Sequence, residues 1–106
     1  DIALLDARKG LNMFRKVSVP ILGIIENMSY FICDNCGTTH EIFNRDGALN
    51  TAKTENVDFL GAIPLDTKIR ETSDSGQPIV ISDAESSYAN SYMEIAKKVI
   101  TSLDAT

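Results

Sequence analysis

Apolar positions along the chain change their period several times, and each change marks a predicted element. Residues 2–16 carry apolar side chains at three- and four-residue spacing, which predicts a helix. Its predicted inner face consists of Leu4, Ala7, Leu11 and Phe14. Residues 19–25 are almost continuously apolar and branched, which is typical of a parallel strand buried on both faces. Residues 59–63 repeat that pattern, and Pro64 ends this second strand.

Helical patterns follow each predicted strand. A helix is expected over residues 46–55, with Ala48, Leu49 and Ala52 facing inward. Asp66 is placed to cap a short helix that ends near residue 73. Residues 26–45 show no clean period and are predicted to form a long loop. The alternation of helices and strands predicts an α/β layer with a parallel sheet.

The last quarter of the chain predicts its longest helix. Residues 79–81 are a brief apolar run that we expect to be extended. Ser82 and Glu85 have capping-box spacing, which predicts a helix over about residues 84–103. Its predicted inner face consists of Ala89, Tyr92, Ala96, Val99 and Leu103.

Composition narrows the class of protein. The 106 residues predict one domain, and the absence of an initiator Met suggests a piece of a longer protein. The formal net charge of -5 argues against nucleic acid or an anionic membrane as partner. No apolar stretch reaches the roughly 18 residues that a membrane span needs. Two cysteines are too few for a disulfide scaffold, so we expect a reducing compartment, the cytoplasm or an organellar matrix.

The two cysteines, Cys33 and Cys36, form half of a metal site. A tetrahedral metal or an iron–sulfur cluster usually takes four protein ligands, and Gly37 suits the tight turn of a chelating knuckle. His40 is a candidate third ligand, although a lone loop histidine is more often an ordinary polar residue. If the pair binds metal, two chains would supply four thiolates on a two-fold axis, which suits zinc or a 4Fe–4S cluster. The alternatives are a metal-free pair and dithiol redox chemistry, and the latter is disfavoured because no good helix start follows Cys36.

Polar residues follow both predicted strands at the edge where open α/β sheets bind ligands. Asn27 comes just after the first strand, and its amide can read an adenine edge or hold its own turn. Pro64, Leu65 and Asp66 occupy the equivalent position after the second strand, where they could lend backbone groups to a base or simply end the strand and cap a helix. A Gly-rich phosphate loop with Lys and Ser/Thr does not occur in the sequence, so this chain should not bind ATP tightly by itself.

An ordered series of motifs in this chain resembles the Mrp/ApbC family of iron–sulfur cluster carriers, which are MinD-like P-loop ATPases. The series comprises residues 19–31, the Cys33-x-x-Cys36-Gly37 pair, and residues 42–43, 59–66, 69–71 and 73–79. Two departures are Asp34, where the family often has Pro, and residues 44–47, where it is usually Gly-rich. Neither departure removes a ligand.

The resemblance implies a fold and a function. The fold would be the C-terminal part of a doubly wound parallel-sheet P-loop NTPase domain, without the half that carries the phosphate-binding loop. The function would be that of a 4Fe–4S carrier or scaffold, with one cluster bridged between the subunits of a homodimer by Cys33 and Cys36 and passed to apo iron–sulfur proteins. Family members are weak ATPases, and the adenine would lie against Asn27 and the segment Pro64, Leu65 and Asp66. The alternative function is a zinc-bound or metal-free α/β interaction module.

Overall fold

The computed structural model describes residues 2–33, 35–41 and 47–104, and this part of the chain forms two short sheets and five helices. In chain order the elements are α1 (Ile2–Lys16), β1 (Ile24–Glu26), β2 (Tyr30–Ile32), β3 (Thr39–Glu41), α2 (Gly47–Thr54), β4 (Phe59–Ala62), α3 (Thr67–Asp74), α4 (Ile79–Ser82) and α5 (Ser87–Asp104). The predicted α/β architecture is confirmed. None of the described helices combines the length and apolar character that crossing a membrane requires.

The parallel pair β1–β4 lies at the centre of the fold. Ile24 pairs with Phe59 and Glu26 pairs with Ala62, with one irregularity in the register after Ile24. The predicted strand over residues 19–25 is therefore too long, because its partner starts only at Phe59. Pro20 adds to this shortening, since it has no amide hydrogen to donate to a ladder.

Helix α5 packs on this pair through an unpredicted residue, Ile95. Leu60, Ile63 and Ile95 form the buried core cluster, with Tyr92 and Val99 packed against it. A Cβ on Gly61 would lie 2.7 Å from Ile95 Cγ1, so the bare backbone there lets the helix sit close to β4. The prediction that Ala96 and Leu103 face inward is wrong, because both side chains are exposed.

The caps of the C-terminal helices differ in part from the prediction. Ser86 is the residue that caps α5, since its Oγ accepts from the amide of Ala89 at 3.1 Å. Ser82 instead ends α4, with its hydroxyl donating to the carbonyl of Pro78 at 3.1 Å. The run 79–81 is thus helical rather than extended. The predicted cap of α3 is confirmed, because Asp66 Oδ1 accepts from the amide of Lys68 at 2.8 Å.

Helix α1 packs against α2 and also forms two ion pairs with Glu55, the residue that directly follows α2. The carboxylate of Glu55 accepts from Arg8 Nε at 3.1 Å and from Arg15 Nη1 at 3.2 Å. Ala48 and Ala52 of α2 are buried as predicted, and Leu49 is half-buried. Of the predicted inner face of α1, only Leu11 is buried, Leu4 is half-buried, and the other two are exposed, namely Ala7 and Phe14.

The predicted long loop contains an antiparallel hairpin, β2–β3. Tyr30 pairs with Glu41 and Ile32 pairs with Thr39. Each strand has three residues, which is too short to display a recognisable alternation in the sequence. The expected helix start at Asp46 and the motif at residues 42–43 lie outside the described residues.

Close backbone approach at Gly23 gives a stability prediction. A Cβ there would lie 2.6 Å from the backbone carbonyl oxygen of Asp58, which cannot move without disturbing the sheet. We expect Gly23→Ala to lower the free energy of unfolding by about 1–3 kcal/mol, measured by urea denaturation followed by circular dichroism.

Gly10→Ala is the matched control. Gly10 lies within α1, and nothing lies within 4 Å of the position that a Cβ would take there. This variant should be stabilised by about 0.5–1 kcal/mol, as for any Gly→Ala change inside a helix. Equal unfolding midpoints for the two variants would contradict the packing described here.

Candidate functional site

The carboxyl ends of β1 and β4 stay paired beyond the strands themselves. The amide of Ile63 donates to Glu26 O, and the amide of Ser29 donates to Ile63 O, both at 2.8 Å. The amide of Leu65 then donates to Tyr30 O at 2.7 Å. These hydrogen bonds bring the two predicted ligand segments side by side at one edge of the sheet.

Asn27 lies at the turn of this edge and helps to hold it. Its Oδ1 accepts from the amide of Met28 at 3.0 Å. Met28 adopts a φ of +52°, a left-handed conformation that a side-chain hydrogen bond helps to support. Asn27 is exposed, so its amide is accessible to a ligand while its oxygen serves the turn.

The three residues of the second segment are placed differently from one another. Pro64 is buried, so it shapes the backbone. Leu65 is 44% exposed and is the one that offers an apolar surface. Asp66 is half-buried and its carboxylate caps α3. The backbone pairing therefore brings the turn at Asn27 beside the segment Pro64, Leu65 and Asp66. Within this segment only the side chain of Leu65 offers an apolar surface.

Glu26 and Ser29 belong to the same edge, and neither was predicted as a site residue. The hydroxyl of Ser29 donates to Glu26 Oε1, and the amide of Ala48 donates to Glu26 Oε2 at 3.2 Å. Ser29 is only 5% exposed. The one signal in the sequence was a serine three residues after a glutamate that ends an apolar strand.

The cysteines lie on the turn of the β2–β3 hairpin. The amide of Cys33 donates to Thr38 O at 2.9 Å, and the amide of Gly37 donates to Cys33 O at 2.8 Å. Gly37 has a φ of +70°, which confirms the tight turn expected there. Both thiols are free, with Cys33 half-buried and Cys36 exposed.

Thr38 favours the thiolate form of Cys36. Cys36 Sγ and Thr38 Oγ1 are 3.1 Å apart. This side-chain hydrogen bond, followed by the Thr38 backbone and the Cys33 thiol, lowers the pKa of the Cys36 thiol from its ordinary value. The thiolate is the form that binds metal and acts as nucleophile, so the turn is prepared for either chemistry.

His40 does not join the cysteines. Its ring stacks on Phe31 across the hairpin, with centroids 6.3 Å apart and the planes at 29°. Among the described residues, no group of three or more His, Cys, Asp or Glu side chains could hold a metal ion. Within that part of the chain the cysteine turn offers two thiolates, which is half of a four-thiolate set.

Comparisons with known proteins identify the family of this chain. A profile of the family described as ParA, NUBPL iron-transfer P-loop NTPase, matches residues 1–100. The chain belongs to this family. Among relatives of the NUBPL family, the iron-sulfur cluster transfer protein NUBPL of Dictyostelium discoideum is 50% identical over 104 residues, 98% of this chain and 32% of that protein. The chain thus spans about a third of the length of the curated relatives it matches.

Solved structures support the family's fold for this chain. The cell division ATPase MinD of Pyrococcus furiosus superposes with a TM-score of 0.69 at 25% identity, covering 95% of this chain and 39% of that one. A nucleotide-binding protein of Archaeoglobus fulgidus, in complex with ADP, superposes with a TM-score of 0.62 at 30% identity, covering 77% of this chain and 32% of that one. The predicted fold class, part of a parallel-sheet P-loop NTPase domain, is confirmed.

The hydrogen bond between the side chains of Cys36 and Thr38 gives a prediction about the reactivity of Cys36. Thr38→Val removes the hydroxyl and keeps the shape, so the pKa of Cys36 should rise towards its ordinary value. We expect alkylation of Cys36 by iodoacetamide at neutral pH to slow by about two- to fivefold, because the rate follows the thiolate fraction. Tandem mass spectrometry distinguishes Cys36 from Cys33.

Thr39→Val is the control, since Thr39 lies in β3 and the Cys36 thiol is hydrogen-bonded to the neighbouring residue, Thr38. In this variant, Cys36 should be alkylated at the same rate as in the unsubstituted chain. Identical rates in the Thr38 and Thr39 variants would show that the hydroxyl does not act on Cys36.

Proposed function

We propose that this chain is part of an iron–sulfur cluster carrier, in which two copies hold one 4Fe–4S cluster through Cys33 and Cys36 and pass it to apo iron–sulfur proteins. The observation that carries the proposal is the hairpin turn with two free thiols and no third ligand among the described residues. Membership of an iron-transfer family and the name of the Dictyostelium relative support cluster transfer as the role.

The Cys33–Cys36 turn would allow the 4Fe–4S cluster to be released to a recipient protein. Four thiolates from two copies complete the ligand set of a 4Fe–4S cluster. In transfer, each iron–thiolate bond to the carrier is replaced by one to a thiolate of the recipient. The entering thiol gives up a proton, the departing thiolate can take one, and the cluster keeps its charge and oxidation state. The exposure of Cys36 leaves room for the entering thiol.

Nucleotide binding belongs to the proposal for the whole protein. We assign the base of ATP to the edge formed by Asn27 and by the segment Pro64, Leu65 and Asp66. In that segment Leu65 would contact the base, while Pro64 and Asp66 fix the backbone on either side of Leu65. The ADP bound to the similar Archaeoglobus protein supports a nucleotide in this fold. The phosphate-binding loop would come from sequence beyond these 106 residues, and ATP binding and slow hydrolysis would control transfer.

Charge and cysteine count bear on partners and compartment. The net charge of -5 supports partners other than nucleic acid or an anionic membrane. The two cysteines are too few for a disulfide scaffold, which supports a reducing compartment, either the cytoplasm or an organellar matrix.

Anaerobic reconstitution with iron and sulfide tests the cluster. We expect a brown protein with about two irons per chain, which is the stoichiometry of one four-iron cluster for two chains. Cys33→Ala should abolish the colour because it removes half of the thiolates. Visible absorption and analysis of iron, sulfide and zinc per chain provide the measurement.

His40→Ala is the matched control for a lost ligand. His40 stacks on Phe31, so this variant should keep the iron content of the unsubstituted chain. A colourless, zinc-loaded protein would overturn the cluster proposal and favour the zinc-bound interaction module.

Calorimetry tests the assignment of the nucleotide site. With a base edge and no phosphate loop, this chain should bind ATP with a Kd weaker than micromolar, since the phosphates carry much of the interaction in P-loop proteins. A micromolar or tighter Kd for the 106-residue chain would refute the division of the site between two parts of the protein.

A further inference from the structure

One carboxylate holds both ends of the segment that carries the cysteines. Ser29 directly precedes β2, and its hydroxyl donates to Glu26 Oε1. Ala48 is the second residue of α2, the helix that follows β3, and its amide donates to Glu26 Oε2 at 3.2 Å. The chain leaves the sheet and returns to the core through contacts with the same side chain.

The local environment favours this use of a glutamate. The amides in the first turn of a helix lack intrahelical partners and prefer a negative charge nearby. Ser29 is almost fully buried, so its hydroxyl needs a protein acceptor. Glu26 satisfies both groups with one side chain, since each of its two carboxylate oxygens accepts one of the hydrogen bonds.

The backbone of Glu26 connects the same point to the ligand edge. Its carbonyl accepts from the amide of Ile63, just before the segment that begins at Pro64. The next residue is Asn27. Glu26 therefore touches β4, the proposed base edge, the root of the cysteine hairpin and the start of α2.

We propose that Glu26 is a positioning residue that fixes the position of the cysteine hairpin relative to the β1–β4 sheet. This inference rests on the proposed function, because a cluster shared by two copies requires four thiolates to converge on one point. A hairpin with loose ends would leave each pair of thiolates badly placed for its partner pair. Glu26 would act on the cluster through the hairpin and would not contact it.

Three variants separate the possible causes. Glu26→Ala removes both hydrogen bonds. Glu26→Gln removes the charge and keeps both bonds, since its oxygen can accept from Ala48 and its amide can donate to the Ser29 hydroxyl. Ser29→Ala removes only the bond at the start of the hairpin. Glu71→Ala, on the exposed surface of α3, is the control for loss of one negative charge.

The first measurement is amide hydrogen exchange of the metal-free chain by NMR. Glu26→Ala should raise the exchange rate at Ala48 at least tenfold, whereas Glu26→Gln and Glu71→Ala should leave it within about twofold. Ser29→Ala should affect the amides of the hairpin more than that of Ala48. Unchanged protection at the core residue Ile95 shows that the fold is kept. An unchanged rate at Ala48 in Glu26→Ala would overturn the anchoring role.

The second measurement is the rate at which a chelator removes iron from the reconstituted protein. Loss of iron from Glu26→Ala should be at least fivefold faster than from Glu26→Gln, which should behave like the unsubstituted chain. Equal rates would overturn the positioning role even if exchange at Ala48 has risen. If the unsubstituted chain takes up no cluster, the proposed function fails, and the exchange rates still decide whether Glu26 anchors the hairpin.

Discussion

The parallel pairing of β1 with β4 is the constraint on which the rest of the structure depends. Only three or four residues of each strand pair, yet backbone hydrogen bonds continue the alignment through Ser29 and Leu65. That continuation places two chain segments, distant in sequence, along one edge. It also fixes the point from which the cysteine hairpin leaves the sheet. α5 supports the pair from one face, because Gly61 has no side chain to keep Ile95 away.

The edge and the hairpin have different physical requirements, and the chain meets them with different residues. The proposed base site needs a rigid edge with polar and apolar groups, which Asn27 and Leu65 would supply on a backbone held by the sheet. A transferable cluster needs exposed thiolates on a short turn. Gly37 allows the tight turn, and the hydrogen bond with Thr38 lowers the pKa of the Cys36 thiol. Glu26 lies between the two, because it accepts hydrogen bonds from the Ser29 hydroxyl just before β2 and from the Ala48 amide in α2. The proposed carrier thus combines a rigid ligand edge with an accessible metal-binding turn.

Local signals in the sequence predicted several features correctly. Asp66 as a cap, the strand at β4, the turn at Gly37 and the proximity of Asn27 to the segment at Pro64 all follow from short-range patterns or from the geometry of parallel sheets. The errors arose where tertiary contacts decide. The start of β1 depends on where its partner begins, and the inner face of α5 depends on the gap at Gly61. The role of Glu26 depends on Ala48, 22 residues away, which no local pattern reveals.

Native mass spectrometry of the anaerobically reconstituted chain tests the central claim most directly, because it reports the number of chains and the cluster mass in one particle. A cluster shared by two copies predicts a particle of two chains with four irons and four sulfides, which separates into metal-free single chains when the iron is chelated. A single chain that carries a whole cluster would rule out the shared site. A dimer that persists unchanged after the cluster is removed would also contradict it.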